Sequence, residues 1–537
     1  VSALTALAAC DGPPARSRAW RHQAPLAEPQ AAAAPVSAPE GERERRATTL
    51  RIHLPVEPQS LDPLAEPDRP MVQVTEDTVF ETLLRHGPGG YAPLLAESFR
   101  VTGGGNEVRF TLRAGVTFHD GRPCTASDAQ FSIDAARRAA SQNSRLRGAL
   151  ADVSAVEVWG PRDLRVVLRR PSGYALRAVA EVPIVPAALY GDGVRAERAR
   201  APVGTGPYRL ARWASRDRLV LERFPGYWGA VPAIASVEFV VVPDAARALT
   251  LAKQGKIDIV PVLIPEHWPG EAESPAVTAA FAPLELAPAR FVAGVFNLRR
   301  APFSDERVRR AAIMLVDRWR LARDAWRGLA RPVSGPVWPG GPGDAEGPPP
   351  PPFDPLWAGR LLDEAGYGLD KDGLRSLRVQ PSQKLKVVLL TAGAGPAGEP
   401  DRDALVTSLR RGGFLVELRF VAPEDYLAKL KAGDFDLATI DYRGRVDESL
   451  GPLLGAGGTR NVGGLADRDL DDALGSAAEV WEPAARVARV AEVGRRAAAL
   501  APFLPLVRPA PEGLVARRVH GLAVHDGWFA VRDLSLE

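Results

Sequence analysis

Apolar and polar side chains alternate over residues 49–54 and again over 107–112, where Val108, Phe110 and Leu112 fall on one side. That period predicts half-buried strands. Gly103-Gly104-Gly105-Asn106, just before the second run, is turn chemistry. Residues 153–158 and 164–168 read as a hairpin joined through Gly160-Pro161. Helical spacing appears at 77–84, with Val79, Leu83 and Leu84 on one side, and at 125–139, where Thr125 is placed to cap the first turn. Strands at 218–222, 237–242 and 257–260 surround a helix at 245–254. From Phe291 a second such region begins, with strands at 291–297, 386–390, 415–420 and 437–441. Helices at 305–319, 356–365, 402–411 and 423–432 separate them. Alternating strand and helix predicts an α/β protein.

The first 47 residues lack this periodicity. Residues 4–10 form a short apolar stretch ending in Leu7-Ala8-Ala9-Cys10, which resembles the lipobox of bacterial lipoproteins and makes Cys10 the expected lipid attachment point. The basic stretch expected ahead of such a segment is missing. Residues 11–47, rich in Pro, Ala and Arg, read as a flexible tether.

A length of 537 residues predicts two or three lobes. The 68 basic and 65 acidic residues nearly cancel, and no stretch forms the basic stripe that nucleic-acid binding needs. No run of about 20 apolar residues is present to cross a bilayer. With only Cys10 and Cys124 there is no disulfide framework, and Cys124 is expected to act as a small apolar residue. Gly393-Ala394-Gly395-Pro396-Ala397-Gly398 matches a dinucleotide fingerprint, but Pro396 and Pro400 interrupt the helical turn that would face a pyrophosphate. Walker, His-Glu-x-x-His and Cys-x-x-Cys motifs are absent, so neither an enzyme, a cofactor nor a metal is expected.

Five segments occur in a telling order. They are Glu57-Pro58-Gln59-Ser60-Leu61-Asp62-Pro63, the run from Phe110 to Gly121 ending Phe118-His119-Asp120-Gly121, Val203-Gly204-Thr205-Gly206-Pro207-Tyr208, Glu222-Arg223-Phe224-Pro225-Gly226-Tyr227-Trp228-Gly229 and Gly255-Lys256-Ile257-Asp258-Ile259. Together they resemble the peptide/nickel family of solute-binding proteins that feed ABC importers, from about residue 48 to the C-terminus. The resemblance implies an α/β, two-lobed periplasmic-binding-protein type II ("Venus flytrap") fold with an extra subdomain in the N-terminal lobe. Lobe I would comprise residues 48–79, 201–283 and 511–537, the extra subdomain 80–200, and lobe II 284–510. His119 would pack structurally in its turn. Interlobe crossings would fall near Gly204 and Gly206, near 284–289 and near 509–513. The implied ligand is a small, oligopeptide-like solute. The implied partners are ABC permease subunits, for a monomer lipid-anchored at the outer face of the cytoplasmic membrane. A non-transporting envelope sensor or accessory lipoprotein of the same descent is the other reading.

In this family the cleft walls come from three places, here the loop with Asp68 and Arg69, the strand end at Phe296 and Asn297, and the segment Asp441, Tyr442, Arg443, Arg445 and Asp447. Peptide-binding relatives carry Gly-Asp-x-x-Asp-Pro in the third, and the first Asp holds the peptide ammonium. This chain reads Arg443-Gly444-Arg445-Val446-Asp447-Glu448, so Gly444 stands at the anchoring position. Arg443 and Arg445 would favour an anionic group, or else pair with Asp447 and Glu448.

Overall fold

The computed structural model describes residues 47–537 apart from 66–68, 88–89, 140–149, 192–194, 287–288, 394–399, 446–447, 510–511 and 526. Cys10, the tether, most of the dinucleotide-like run, Asp68 and Asp447 therefore lie outside the described residues. Two large sheets dominate. Lobe I holds a seven-stranded sheet in the order 281–285, 512–516, 259–260, 49–54, 236–241, 218–223, 208–214. Leu50, Ile52 and Leu54 of its central strand are fully buried, and that strand runs parallel to Ser236–Val241 in the register Ile52↔Phe239. Lobe II holds a six-stranded sheet in the order 330–332, 503–509, 290–296, 437–443, 386–392, 415–421. A four-stranded antiparallel sheet, 96–102, 107–112, 163–168 and 153–158, has its own core with the helix Gly173–Ala180.

The chain passes between the large sheets twice, once from Phe281–Glu285 to Arg290–Phe296 and once from Phe503–Pro509 to Glu512–Ala516. Gly204 and Gly206 are not at such a passage, contrary to the expectation. They lie where the small sheet joins lobe I, with Gly206 N–H donating to the Val79 carbonyl at 3.0 Å. A Cβ on Gly204 would stand 2.0 Å from the Val79 oxygen, and one on Gly206 2.2 Å from the Thr78 oxygen. These glycines are there because two backbones touch.

The other segments that carry the resemblance are joints of the same kind. Glu57 accepts from Trp213 Nε1 at 2.6 Å and from Ser215 Oγ at 3.1 Å. Asp258, buried, pairs with Arg518 at 2.8 Å and so fastens the C-terminal return to lobe I. His119 Nε2 faces the Gly206 carbonyl at 3.0 Å while Nδ1 accepts from Gly204 N–H at 3.3 Å, the pattern of a neutral ring. Burial brings its pKa down to about 4, so the ring is a structural strut near neutral pH. Cys124 packs on the small-sheet core, and burial pushes its thiol well above the usual range. The strongest joint is Glu81, whose side chain is wholly buried. It accepts from Thr205 Oγ1 at 3.0 Å, Tyr227 Oη at 2.8 Å, Trp228 Nε1 at 2.8 Å and Arg532 Nη1 at 3.0 Å.

Two predicted helices are corrected. Residues 77–84 are not helical, and the helix is Arg69–Thr75 instead. Val79 packs in the lobe I core and Leu83 and Leu84 in the small-sheet core, so their spacing records a chain passing between two cores. The helix expected at 305–319 ends at Met314, and Asp317 caps a new turn by accepting from Arg320 N–H at 2.9 Å.

Candidate functional site

Strands Arg290–Phe296 and Leu437–Arg443 pair antiparallel with Arg290 opposite Arg443. Those two residues stand at the end of the lobe II sheet that follows the first passage. Like charges directly opposite repel, and Asp441 lies between them. Its Oδ1 accepts from Arg290 Nε at 2.7 Å, and its Oδ2 from Arg443 Nη2 at 2.7 Å and Nε at 2.9 Å. Asp441 is thus held by two guanidinium groups of its own lobe. Arg69, which opens the helix Arg69–Thr75, is exposed; partial loss of surrounding water and then the like charges of Arg443 and Arg290 hold its pKa below the ordinary arginine value.

Side chains alternate along a strand, so Tyr442 points the other way from Asp441 and Arg443. It is 2% exposed, stacks on Phe291 with centroids 5.1 Å apart and meets Phe503 edge-on at 5.6 Å. Tyr442 belongs to the lobe II core and not to the cleft wall, and burial pushes its hydroxyl pKa far up. Phe296 and Asn297 are likewise corrected. Phe296 pairs with Leu437, six residues from the Arg290–Arg443 pair and so roughly 20 Å away at about 3.4 Å per residue. Phe296 is fully buried against Phe303 at 4.5 Å, and the Asn297 amide donates to the Gly433 and Phe435 carbonyls at 2.9 Å each. Both are packing residues.

Gly444 explains the missing anchor. An added Cβ would lie 2.6 Å from the Trp338 ring and 2.7 Å from Glu448 Oε2. Trp338, 2% exposed, packs on Phe291 at 5.6 Å, and Arg460 covers Trp338 and Tyr442 at 5.7 and 5.5 Å. An aspartate at 444 is excluded while this indole stays in place. Arg445 donates its backbone N–H to Glu448 Oε2 at 3.0 Å, and its guanidinium also reaches across to the other lobe. Its Nη2 reaches Glu76 Oε1 at 3.1 Å and its Nε reaches Glu181 Oε2 at 3.6 Å, both on the lobe I side. Glu181 also accepts from Arg177 Nε at 2.9 Å, with both side chains nearly buried. A second bridge between lobes joins Tyr174 to Arg486, whose guanidinium lies 4.7 Å from the ring centroid.

Sequence reasoning missed Arg290, Trp338, Arg460, Glu76 and Glu181. Arg290 was within reach, being the first strand residue after the expected passage. The others carry no local signal. Among the described residues no group of His, Cys, Asp or Glu is gathered to hold a metal ion, and no helix is long and apolar enough to cross a membrane.

The family model described as bacterial extracellular solute-binding proteins, family 5 (middle) matches residues 90–463. Protein XP55 of Streptomyces lividans is 28% identical over 428 residues, 75% of this chain and 73% of that protein. Di/tripeptide-binding protein 2 of Pseudomonas aeruginosa is 26% identical over 520 residues, 91% of this chain and 94% of its own length. Among solved structures, NikA from Brucella suis in complex with Fe(III)-EDTA superposes with a TM-score of 0.79 at 22% identity, covering 91% of this chain and 100% of that one.

Proposed function

The chain belongs to family 5 of the bacterial extracellular solute-binding proteins, and from that premise we propose that it is the substrate-binding component of an ABC importer. It captures a peptide-like solute between its lobes and hands it to a membrane permease. What carries this reading is one arrangement: two strand passages link the lobes, and Arg445 reaches from lobe II to Glu76 and Glu181 on the lobe I side. Hinge closure around a ligand is the motion such a double connection permits. The peptide class is supported by the di/tripeptide-binding relative, which aligns over nearly the whole chain.

A solute that binds only the folded protein stabilises it by mass action, by about 2.7 kcal/mol at a hundredfold excess over Kd. Di- and tripeptides screened at millimolar concentration are therefore expected to raise the melting temperature. A panel that leaves the melt unmoved, beside a non-peptide solute that shifts it, would sink the peptide class.

The Leu7-Ala8-Ala9-Cys10 run supports lipid anchoring at Cys10 on the outer face of the cytoplasmic membrane. Expressed behind a complete export signal, the protein is expected in the membrane fraction with acyl mass on Cys10. A Cys10→Ala form recovered there in equal amount would exclude that anchor.

A further inference from the structure

The helix Gly173–Ala180 that packs on the small sheet meets lobe II at both ends. At its start, Gly173 abuts the backbone of Val480 and Trp481, and Tyr174 lies under Arg486. At its end, Glu181 caps the helix and meets Arg445. The two contacts are about 12 Å apart, at 1.5 Å per helical residue.

Arg445 is mounted firmly on lobe II. Gly444 N–H donates to the Ala289 carbonyl at 2.9 Å, which ties this loop to the first passage, and Arg445 N–H donates to Glu448 Oε2 at 3.0 Å. Its side chain is 17% exposed where it reaches Glu76 at 3.1 Å and Glu181 at 3.6 Å. Its charge is thus answered by carboxylates of the protein itself. Glu181 has a second partner, Arg177 Nε at 2.9 Å, four residues back along the chain. Parting the lobes takes Arg445 away and leaves Glu181 paired with Arg177. No buried carboxylate is stranded, so this contact escapes the large penalty that holds a buried pair shut. It can form and release.

We infer that Arg445 is an electrostatic latch between the lobes, closing on Glu76 and Glu181 with or without solute. The inference rests on the capture reading and concerns how that capture is regulated. The solute-free chain divides between open and closed forms, and solute draws on a closed form that already exists. Apparent affinity scales with the closed fraction. The latch therefore sets affinity for every solute alike, through that fraction and not through contact with the solute.

The test uses no solute, so its failure is separate from failure of the capture reading. Spin labels on Val231→Cys in lobe I and Leu427→Cys in lobe II, both exposed positions, report the interlobe distance by double electron–electron resonance. The full chain carries Cys10→Ser and Cys124→Ala and is refolded to strip bound solute. At low ionic strength two distance populations are expected. Arg445→Gln should lower the ratio of the shorter to the longer roughly three- to tenfold. Raising salt from about 0.01 M to about 1 M shortens the Debye length from about 30 Å to about 3 Å. That should shift the wild-type distances the same way and leave those of Arg445→Gln in place. Glu76→Gln should have a smaller effect than Arg445→Gln, and none in the Arg445→Gln background. The salt comparison on wild type requires no variant to fold. Wild-type distances indifferent to salt, or a wild-type distance distribution in Arg445→Gln, would overturn the latch and leave capture by closure standing.

Discussion

Replacing Glu81 with leucine is expected to cost about 3–5 kcal/mol of folding stability, the usual penalty for leaving one partner of a buried ion pair alone. Arg532, 10% exposed, would keep Asp77 at 2.9 Å as its one carboxylate, beside the Tyr227 hydroxyl at 3.0 Å. Thr205, Tyr227 and Trp228 would lose their acceptor at the same moment, and each stranded buried donor adds to the penalty. Glu81→Gln keeps an amide oxygen for one or two of these donors and removes only the charge, so it should fall between wild type and Glu81→Leu. Pairing Glu81→Leu with Arg532→Met should recover part of the loss, because apolar packing then replaces an unpaired cation. Urea unfolding of the four proteins measures this. A Glu81→Leu loss below about 1 kcal/mol would mean that the joint is not the tie between small sheet, lobe I and C-terminus described above.

That tie also explains what was legible in the sequence. The strands near 49, 107, 218, 237 and 415 were readable from alternation, and those near 291, 386 and 437 as short apolar runs. The five ordered segments were readable because they hold the joints: Glu57 on Trp213, His119 on Gly204 and Gly206, Thr205, Tyr227 and Trp228 on Glu81, Asp258 on Arg518. Such joints are shared by the fold and say little about the solute. The cleft was far less legible. Its charges come from residues 69, 290, 441 and 443, and which strand ends meet is decided by topology. Strand parity could have separated Tyr442 from Asp441 and Arg443, and the direction of the strand entering lobe II could have put Phe296 and Asn297 at its far end. Trp338, which excludes an aspartate at 444, sits in a loop more than a hundred residues from its target, where no periodicity points to it.

The second large effect concerns closure. Gly173, buried at the start of the helix Gly173–Ala180, meets lobe II directly. An added Cβ would lie 2.5 Å from the Val480 carbonyl oxygen, 2.7 Å from Trp481 Cα and 2.9 Å from Arg486 Nη2. Two of these are backbone atoms and cannot step aside. Ser172 caps the helix from the preceding position, its Oγ accepting from Ala175 N–H at 3.1 Å, so a side chain at 173 leaves the cap in place. Gly173→Leu is therefore a wedge between lobes and leaves each lobe's own packing alone. Overpacking typically costs about 1–3 kcal/mol, which lowers the ratio of closed to open forms roughly 5- to 150-fold. Solute affinity should fall by the same factor with little change in the melting temperature of the free protein. A wedge variant that binds as well as wild type would mean that this contact plays no part in capture.

Solute-dependent contraction, measured by small-angle X-ray scattering on the full chain after unfolding and refolding to strip bound solute, bears most directly on capture by closure. A peptide hydrolysate supplies the solutes, and mass spectrometry of the acid-released fraction shows what was retained. The expected result is a smaller radius of gyration for wild type once solute is bound, and little or no contraction for Gly173→Leu. A retained solute with an unchanged wild-type scattering profile would contradict closure of the lobes around it.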